Sequence, residues 1–449
     1  MPDSTSGIVQ WHKLGAVLAA AIVATGCGIS GQSPTPSTSS SQPTGATTPA
    51  ATATATSGPS GTPGTSGTPG VSPTAGASPS AEPPTATPEG PLPTPTGSLV
   101  WANWPAYMQF SRRTGTFPMI EKFITDTGIQ ATYLEDINDN SEFFNVIQPE
   151  LALGKYTGYD LITPSDWLVE RLIRLGYLQP LDYRLLPNYQ ANAKGTYRNP
   201  WYDPGNVYSV PWQAGIVGIG YNTALIDREI TTFDDLLDPA FSGNVGLFSE
   251  MRDTMCLAIL SLGKECTDAT IEDAAAAKDK ILNAQNAGQT FQFFGDDYYD
   301  ALASGNVAIT MAWSGDVTQM KLYDNPDVEF VVPDTGGLLF VDNMVIPNMS
   351  QAFVDAHMLM DFWYNLDNGT AQTEWVGYFS PVEGVSERVL ADAQAARDSG
   401  DEETAAQLEE VARTAIPTAE QLALLHEYKI LTEQEETTWN NLFNEVYFR

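Results

Sequence analysis

From about residue 98 onward, apolar and polar positions alternate between two rhythms. Residues 99–103 read as a strand. Met119, Ile120, Phe123 and Ile124 then fall on one face at helical spacing, and Gly128 predicts where that helix stops. Residues 129–134 predict a second strand, 142–153 a helix, and 159–163 a buried strand ending at Pro164-Ser165. A β-α-β-α-β succession predicts an α/β fold with a mostly parallel sheet covered by helices. Ligands in such sheets sit beyond the carboxyl ends of the strands. Trp104, Tyr107, Ser165 and Trp167 fall there.

The second half keeps the pattern. A strand is predicted at 208–211, with a second lobe opening near Gly215. Helices follow at 251–262 and 271–287, strands at 306–312 and 329–332, and an aromatic-faced helix at 351–365. Residues 386–415, rich in Ala and Glu, predict an exposed helical insertion. The last helix, 433–446, carries Trp439, Leu442 and Phe443 on one face, as docking contacts. Residues 98–449 suffice for two lobes of about 150 residues each.

Before residue 98 the rhythm is absent. Residues 30–97 are almost wholly Ser, Thr, Pro, Gly and Ala, with Ser-Gly-Thr-Pro-Gly at 60–64 and again at 66–70. Such a segment cannot bury enough surface to offset its chain entropy. It predicts a tether, reaching roughly 200 Å if stretched. Ahead of it an apolar run, 14–23, ends in Ala24-Thr25-Gly26-Cys27. The run is short of the about 20 residues that a span needs. It resembles a bacterial lipoprotein signal, which implies a signal peptide at 1–27, acylation of Cys27, a disordered tether at 28–97, and an extracytoplasmic protein held to the membrane only by lipid. A plain secretory signal is the other reading.

The chain has 55 acidic and 21 basic residues, a net charge of −34. Only Asp3, Glu82, Glu89 and Lys13 precede residue 98, so this excess belongs to the folded part. Nucleic acid is a poor partner for it; a cationic ligand, or simply a salt-tolerant surface, is compatible. Besides Cys27 there are Cys256 and Cys266, an even number for an oxidising compartment. On one continuous helix they would stand about 15 Å apart, but a helix end at Gly263 would let them meet, which leaves a disulfide open. His357 and His426 are the histidines beyond the signal, and no metal spacing occurs. Asp136, Asn138 and Asn140 mimic a calcium loop, but Ser141 and Ile147 replace the Gly and Glu it requires. No nucleophile elbow, Walker loop or dinucleotide fingerprint is present, and no cofactor is expected.

Acidic and aromatic residues at strand ends remain: Trp104, Tyr107, Trp167, Glu250, Asp253, Trp313, Asp316, Phe340, Asp342 and Tyr378. Glu250 and Asp253 also suit a first helical turn, where acids stabilise the macrodipole, and Trp313 and Phe340 also suit a core. The motifs Asn103-Trp104-x-x-Tyr107, Asp160-Leu-Ile-Thr-Pro-Ser165, Ser209-Val-Pro-Trp212, Met311-Ala-Trp313-Ser-Gly-Asp316, Gly336-Gly337-x-x-Phe340-Val-Asp342 and Val376-Gly-Tyr378 occur in that order. Together they resemble the spermidine/putrescine-binding proteins, the solute-binding subunits of polyamine ABC importers.

The resemblance implies a type II-like periplasmic-binding-protein fold. Two lobes, 98–214 plus 341–386 and 215–340 plus 387–449, would close over a ligand at the hinge. It implies a monomer that binds a polyamine and serves an ABC permease without catalysing a reaction. Trp104, Tyr107, Ser165 and Trp167 would form one wall. Glu250 and Asp253 would meet an amine, Trp313 would stack, Asp342 would grip the far amine, and Phe340 and Tyr378 would complete the enclosure. The family more often has Asp-x-x-Glu at 250–253, Tyr at Trp167 and Trp at Phe340, which leaves the choice of polyamine open. The same fold serving another organic cation or ferric iron, and a secreted carbohydrate-active enzyme built on paired carboxylates, are the alternatives.

Overall fold

A computed structural model describes residues 90–449. The predicted signal peptide, Cys27 and the tether through residue 89 lie outside the described residues. Ten strands form one sheet: β1 (Ser98–Asn103), β2 (Gln130–Glu135), β3 (Leu161–Ile162), β4 (Ser209–Asn222), β5 (Val245–Phe248), β6 (Phe291–Phe294), β7 (Ile309–Trp313), β8 (Val328–Val331), β9 (Gly337–Val345) and β10 (Leu425–His426). Their order is β2-β1-β3-β9-β4-β7-β5-β6, with β10 beside β9 and β8 beside β4.

The sheet has two parallel halves, β2-β1-β3 and β7-β5-β6. Between them run the longest strands, β4 and β9, antiparallel to each other. The start of β4 pairs with the end of β9 (Ser209 with Val345), where β9 meets β3 (Val345 with Ile162). The end of β4 pairs with β7 (Val217 with Trp313). All described residues belong to a single compact unit, and these two strands carry the chain between its halves.

β4 is much longer than the predicted 208–211. Gly215, Gly218 and Gly220 broke the apolar pattern that marks a strand, yet they lie in the sheet because neighbours press against them. A Cβ on Gly215 would stand 2.7 Å from both the Phe340 and Tyr378 rings. Gly315, just beyond β7, has the Tyr378 ring at 2.5 Å from the same virtual atom. Two glycines therefore make the slot that holds one tyrosine ring.

The helices follow local signals. Pro118–Thr127 ends at Gly128, whose φ is 76°. Asn140–Ala152 begins two residues before its predicted start, because the Asp139 side chain accepts from the backbone N–H of Ser141 and Glu142 (2.7 and 2.9 Å). Met251–Leu260 is buried along its whole length. The chain reverses at Gly263 (φ 72°), and Cys256 and Cys266 are joined as a disulfide with Cα atoms 5.3 Å apart. The segment predicted as an exposed insertion is a hairpin, Val385–Ser399 and Glu402–Ala415, turning at Gly400. It is not wholly exposed: Val385, Val389, Ala405, Val411 and Ala415 are buried, and the hairpin packs on helices Ser314–Tyr323 and Leu366–Val376. The last helix, Glu433–Tyr447, docks through buried Trp439 and Phe443, with Leu442 half-buried beside them. Among the described residues no helix is long and apolar enough to cross a membrane.

Substituting Gly215 by Ala should cost about 1–3 kcal/mol by overpacking and displace Phe340 and Tyr378. A thermal midpoint equal to that of the parent would show that the slot is loose.

Candidate functional site

The carboxyl ends of the parallel strands in both halves face one cavity. Trp104 and Tyr107 follow β1, Ser165 follows β3, Asp253 stands in the first turn of the helix after β5, Trp313 ends β7, and Asp316 stands in the first turn of the helix after it. Phe340 and Asp342 come from β9 itself. With Trp167 and Tyr378 they line about 440 Å³ of space, counting open solvent at the mouth.

The walls are held by specific bonds. Trp104 Nε1 donates to the Thr163 carbonyl (2.9 Å), and its ring meets that of Trp313 edge to face, centroids 5.7 Å apart. Trp313 is braced by Phe248 at 4.7 Å and Tyr298 at 5.4 Å. The Arg252 guanidinium lies over Trp167 at 4.5 Å and pairs with Glu436, so this cation is spent outside the cavity.

Three lining carboxylates receive hydroxyl donors. Tyr107 and Ser165 donate to Asp342 (2.8 and 2.6 Å). Tyr298 and Tyr378 donate to Asp316 (2.8 and 2.6 Å), and Tyr428 donates to Asp253 (2.6 Å). Among the described residues no Lys, Arg or His lines the cavity. Burial, the largest cause in each case, raises Asp342 and Asp253 to about 7 and Asp316 to about 6, against the pull of their hydroxyl partners. Buried carboxylates without a cation are costly to ionise. An ammonium entering this space would restore the balance.

Glu250, expected beside Asp253, does not line the cavity. Its carboxylate reaches across to the other half. There it accepts from the Asn140 backbone N–H and side-chain Nδ2 (both 3.1 Å) and from Ser141 Oγ (2.9 Å). The amino end of helix Asn140–Ala152 offers the Asn140 N–H, which Asp139 does not cap, and the positive pole of its dipole, a strong pull on a carboxylate. Ser249 reinforces the seam by donating to Asp139 (2.8 Å). Asn140 also donates to Ser165 Oγ (3.0 Å), whose hydroxyl donates to Asp342. The cross-cavity seam and the Asp342 carboxylate thus share one hydrogen-bonded chain.

Sequence reasoning missed Pro105, Asn140, Asp296 and Tyr428 as lining residues. Asp296 follows β6, a strand end like the others, and recognising that strand would have found it. Tyr428 sits in an irregular stretch near the carboxyl terminus, where no local pattern marks it. Among the described residues no group of three or more His, Cys, Asp or Glu side chains could hold a metal ion.

Residues 118–399 match the family described as bacterial extracellular solute-binding protein. This chain belongs to that family. It is 26% identical over 302 residues to the spermidine/putrescine-binding periplasmic protein of Salmonella typhimurium, covering 67% of this chain and 82% of that one. It is 28% identical over 264 residues to spermidine/putrescine-binding periplasmic protein 1 of Haemophilus influenzae, covering 58% and 70%. A putative spermidine/putrescine ABC transporter structure from Listeria monocytogenes superposes with a TM-score of 0.64 at 26% identity, covering 79% of this chain and 100% of that one. The α/β architecture with two sheet halves around a cavity is that of the family's binding proteins.

The raised carboxyls make a stability prediction. Unfolded aspartates release their protons near pH 4. The stability contributed by protonated Asp342 is therefore complete below about pH 4 and is lost as pH rises through about 7. Asp342→Asn, which keeps an acceptor for one of the Tyr107 and Ser165 hydroxyls and offers the other an amide N–H to accept, should raise the thermal midpoint of the empty protein at pH 8 and change it little at pH 4. Parallel pH curves for variant and parent would show that the Asp342 carboxyl is not raised above its unfolded value.

Proposed function

We propose that this protein binds a polyamine in the cavity between its halves and delivers it to an ABC permease, making and breaking no bond. One observation carries the reading: Asp342, Asp316 and Asp253 are buried among aromatic rings with hydroxyl partners and, among the described residues, no lining cation. A polyamine supplies what such a space lacks. Its ammonium groups pair with the carboxylates, and its methylenes pack against Trp104, Trp167 and Trp313. A cation over an aromatic face adds about 0.5–2 kcal/mol. The names of the relatives point to the same ligand class.

In this reading residues 98–214 with 341–386 act as one lobe and 215–340 with 387–449 as the other, hinged where β4 and β9 pass between them. Cys27 anchors the chain on the outer face of the membrane, and the protein works as a monomer. Trp104, Tyr107, Ser165, Trp167, Trp313, Phe340 and Tyr378 enclose the ligand, while Asp253, Asp316 and Asp342 neutralise it. Glu250 closes the seam.

Thermal unfolding with putrescine, spermidine, spermine, glucose and ferric citrate tests the ligand class. A saturable rise with polyamines that persists at raised salt is expected. Shifts with none, or equal salt-sensitive shifts with all three amines, would refute it. Calorimetry should show Trp313→Ala losing about 1–2 kcal/mol of polyamine binding. Unchanged affinity would make Trp313 a scaffold residue.

A further inference from the structure

Asp296 differs from the other aspartates that line the cavity. Among the described residues its carboxylate receives no hydrogen bond and no ion pair; only its backbone is engaged, the N–H donating to the Asn138 carbonyl (3.0 Å) and the carbonyl accepting from the Tyr299 N–H (3.1 Å). The loop cannot easily swing away. A Cβ on the preceding Gly295 would stand 2.5 Å from Asn138, so the two backbones are pressed together. Burial, then the charges of Asp316, Glu135, Asp297 and Asp300, push the Asp296 carboxyl well up.

Its position is a second, separate observation. Asp296 and Pro105 line the enclosed cavity and also an open groove of about 1790 Å³, counting solvent. The groove is bordered by Glu135, Asp297 and Asp300, and by Tyr323 and Trp375 stacked at 5.3 Å. Arg112 is the one cationic side chain lining it among the described residues. Acidic and aromatic character therefore continues from the inner site past Asp296 towards solvent.

We propose that Asp296 is a length-selecting ligand contact, which binds the outer ammonium of a triamine or tetraamine where the chain leaves the inner cavity for the groove. The inference rests on the polyamine reading of the inner site. The two ammonium groups of a diamine are taken up among the inner carboxylates, which leaves Asp296 without a counter-charge. A longer amine supplies one, and its charged nitrogen replaces the missing donor. Three N–H groups on a terminal ammonium can serve a carboxylate that no described protein group serves.

Calorimetric titration of the full chain and of Asp296→Asn with putrescine, spermidine and spermine, at moderate salt, tests this. Asn is of equal size and removes no described bond, so the thermal midpoint should be kept. Spermidine and spermine are expected to bind the variant about tenfold or more weakly, with putrescine changed by less than about threefold. Equal loss for all three amines would make Asp296 a general electrostatic contributor and overturn the length-selecting role. Retained affinity for the longer amines would overturn it too. Failure of the parent chain to bind any of the three would instead bring down the polyamine reading and this inference with it.

Discussion

Carboxylates held out of water without a cation are the constraint around which this structure is arranged. An isolated buried charge is among the most expensive things a protein can contain, and here three hydroxyl-held carboxylates lie within one cavity, on β9 and in the first helical turns after β5 and β7, with Asp296 as a fourth in its lining. Hydroxyls from Tyr107, Tyr298, Tyr378, Tyr428 and Ser165 soften the cost without removing it. The raised carboxyl pKa values measure what remains. A site left in this state in the empty protein is poised for a ligand that brings positive charge. The glycines at 215 and 315 serve the same end, because they admit the Tyr378 ring whose hydroxyl reaches Asp316.

The second organising feature is the route by which the halves communicate. β4 and β9 join them covalently, and the seam from Glu250 through Asn140 and Ser165 joins them by hydrogen bonds that end on Asp342. Any change in the charge or partners of Asp342 reaches the seam through two side chains. Hydrogen-bonded chains in a low-dielectric interior reinforce one another, so the arrangement gives ligand charge a physical path to the contact between the halves. Burial and the nearby carboxylates of Asp139 and Asp253 also push the Glu250 carboxyl well up, and the amino end of the facing helix draws it back.

Much of this was legible from the chain. The strand–helix alternation of residues 98–163 and the helices at 271–286 and 433–447 follow from apolar spacing with Gly stops and capping side chains, which are local. So does the placement of Trp104, Ser165, Asp253 and Trp313, since strand ends are visible in the pattern and ligands gather there. Less legible was β4, whose glycines erase the period of two that marks a strand and make sense only once Phe340 and Tyr378 lie against them. The partly buried hairpin of 385–415 was hidden for a related reason: small Ala and Val contacts look like a polar surface until another helix covers them.

The sequence by itself determined the fold class, the acidic character and the inventory of aromatic and acidic side chains at strand ends, because these depend on short-range periodicity and composition. Tertiary structure decided which of those side chains share a cavity. It turned Glu250 away to a helix terminus more than one hundred residues distant in the chain, brought Tyr428 to Asp253, and set Asp296 between the cavity and the groove. Each outcome depends on a contact between segments remote in sequence, and no local pattern records what a side chain will meet across a cavity.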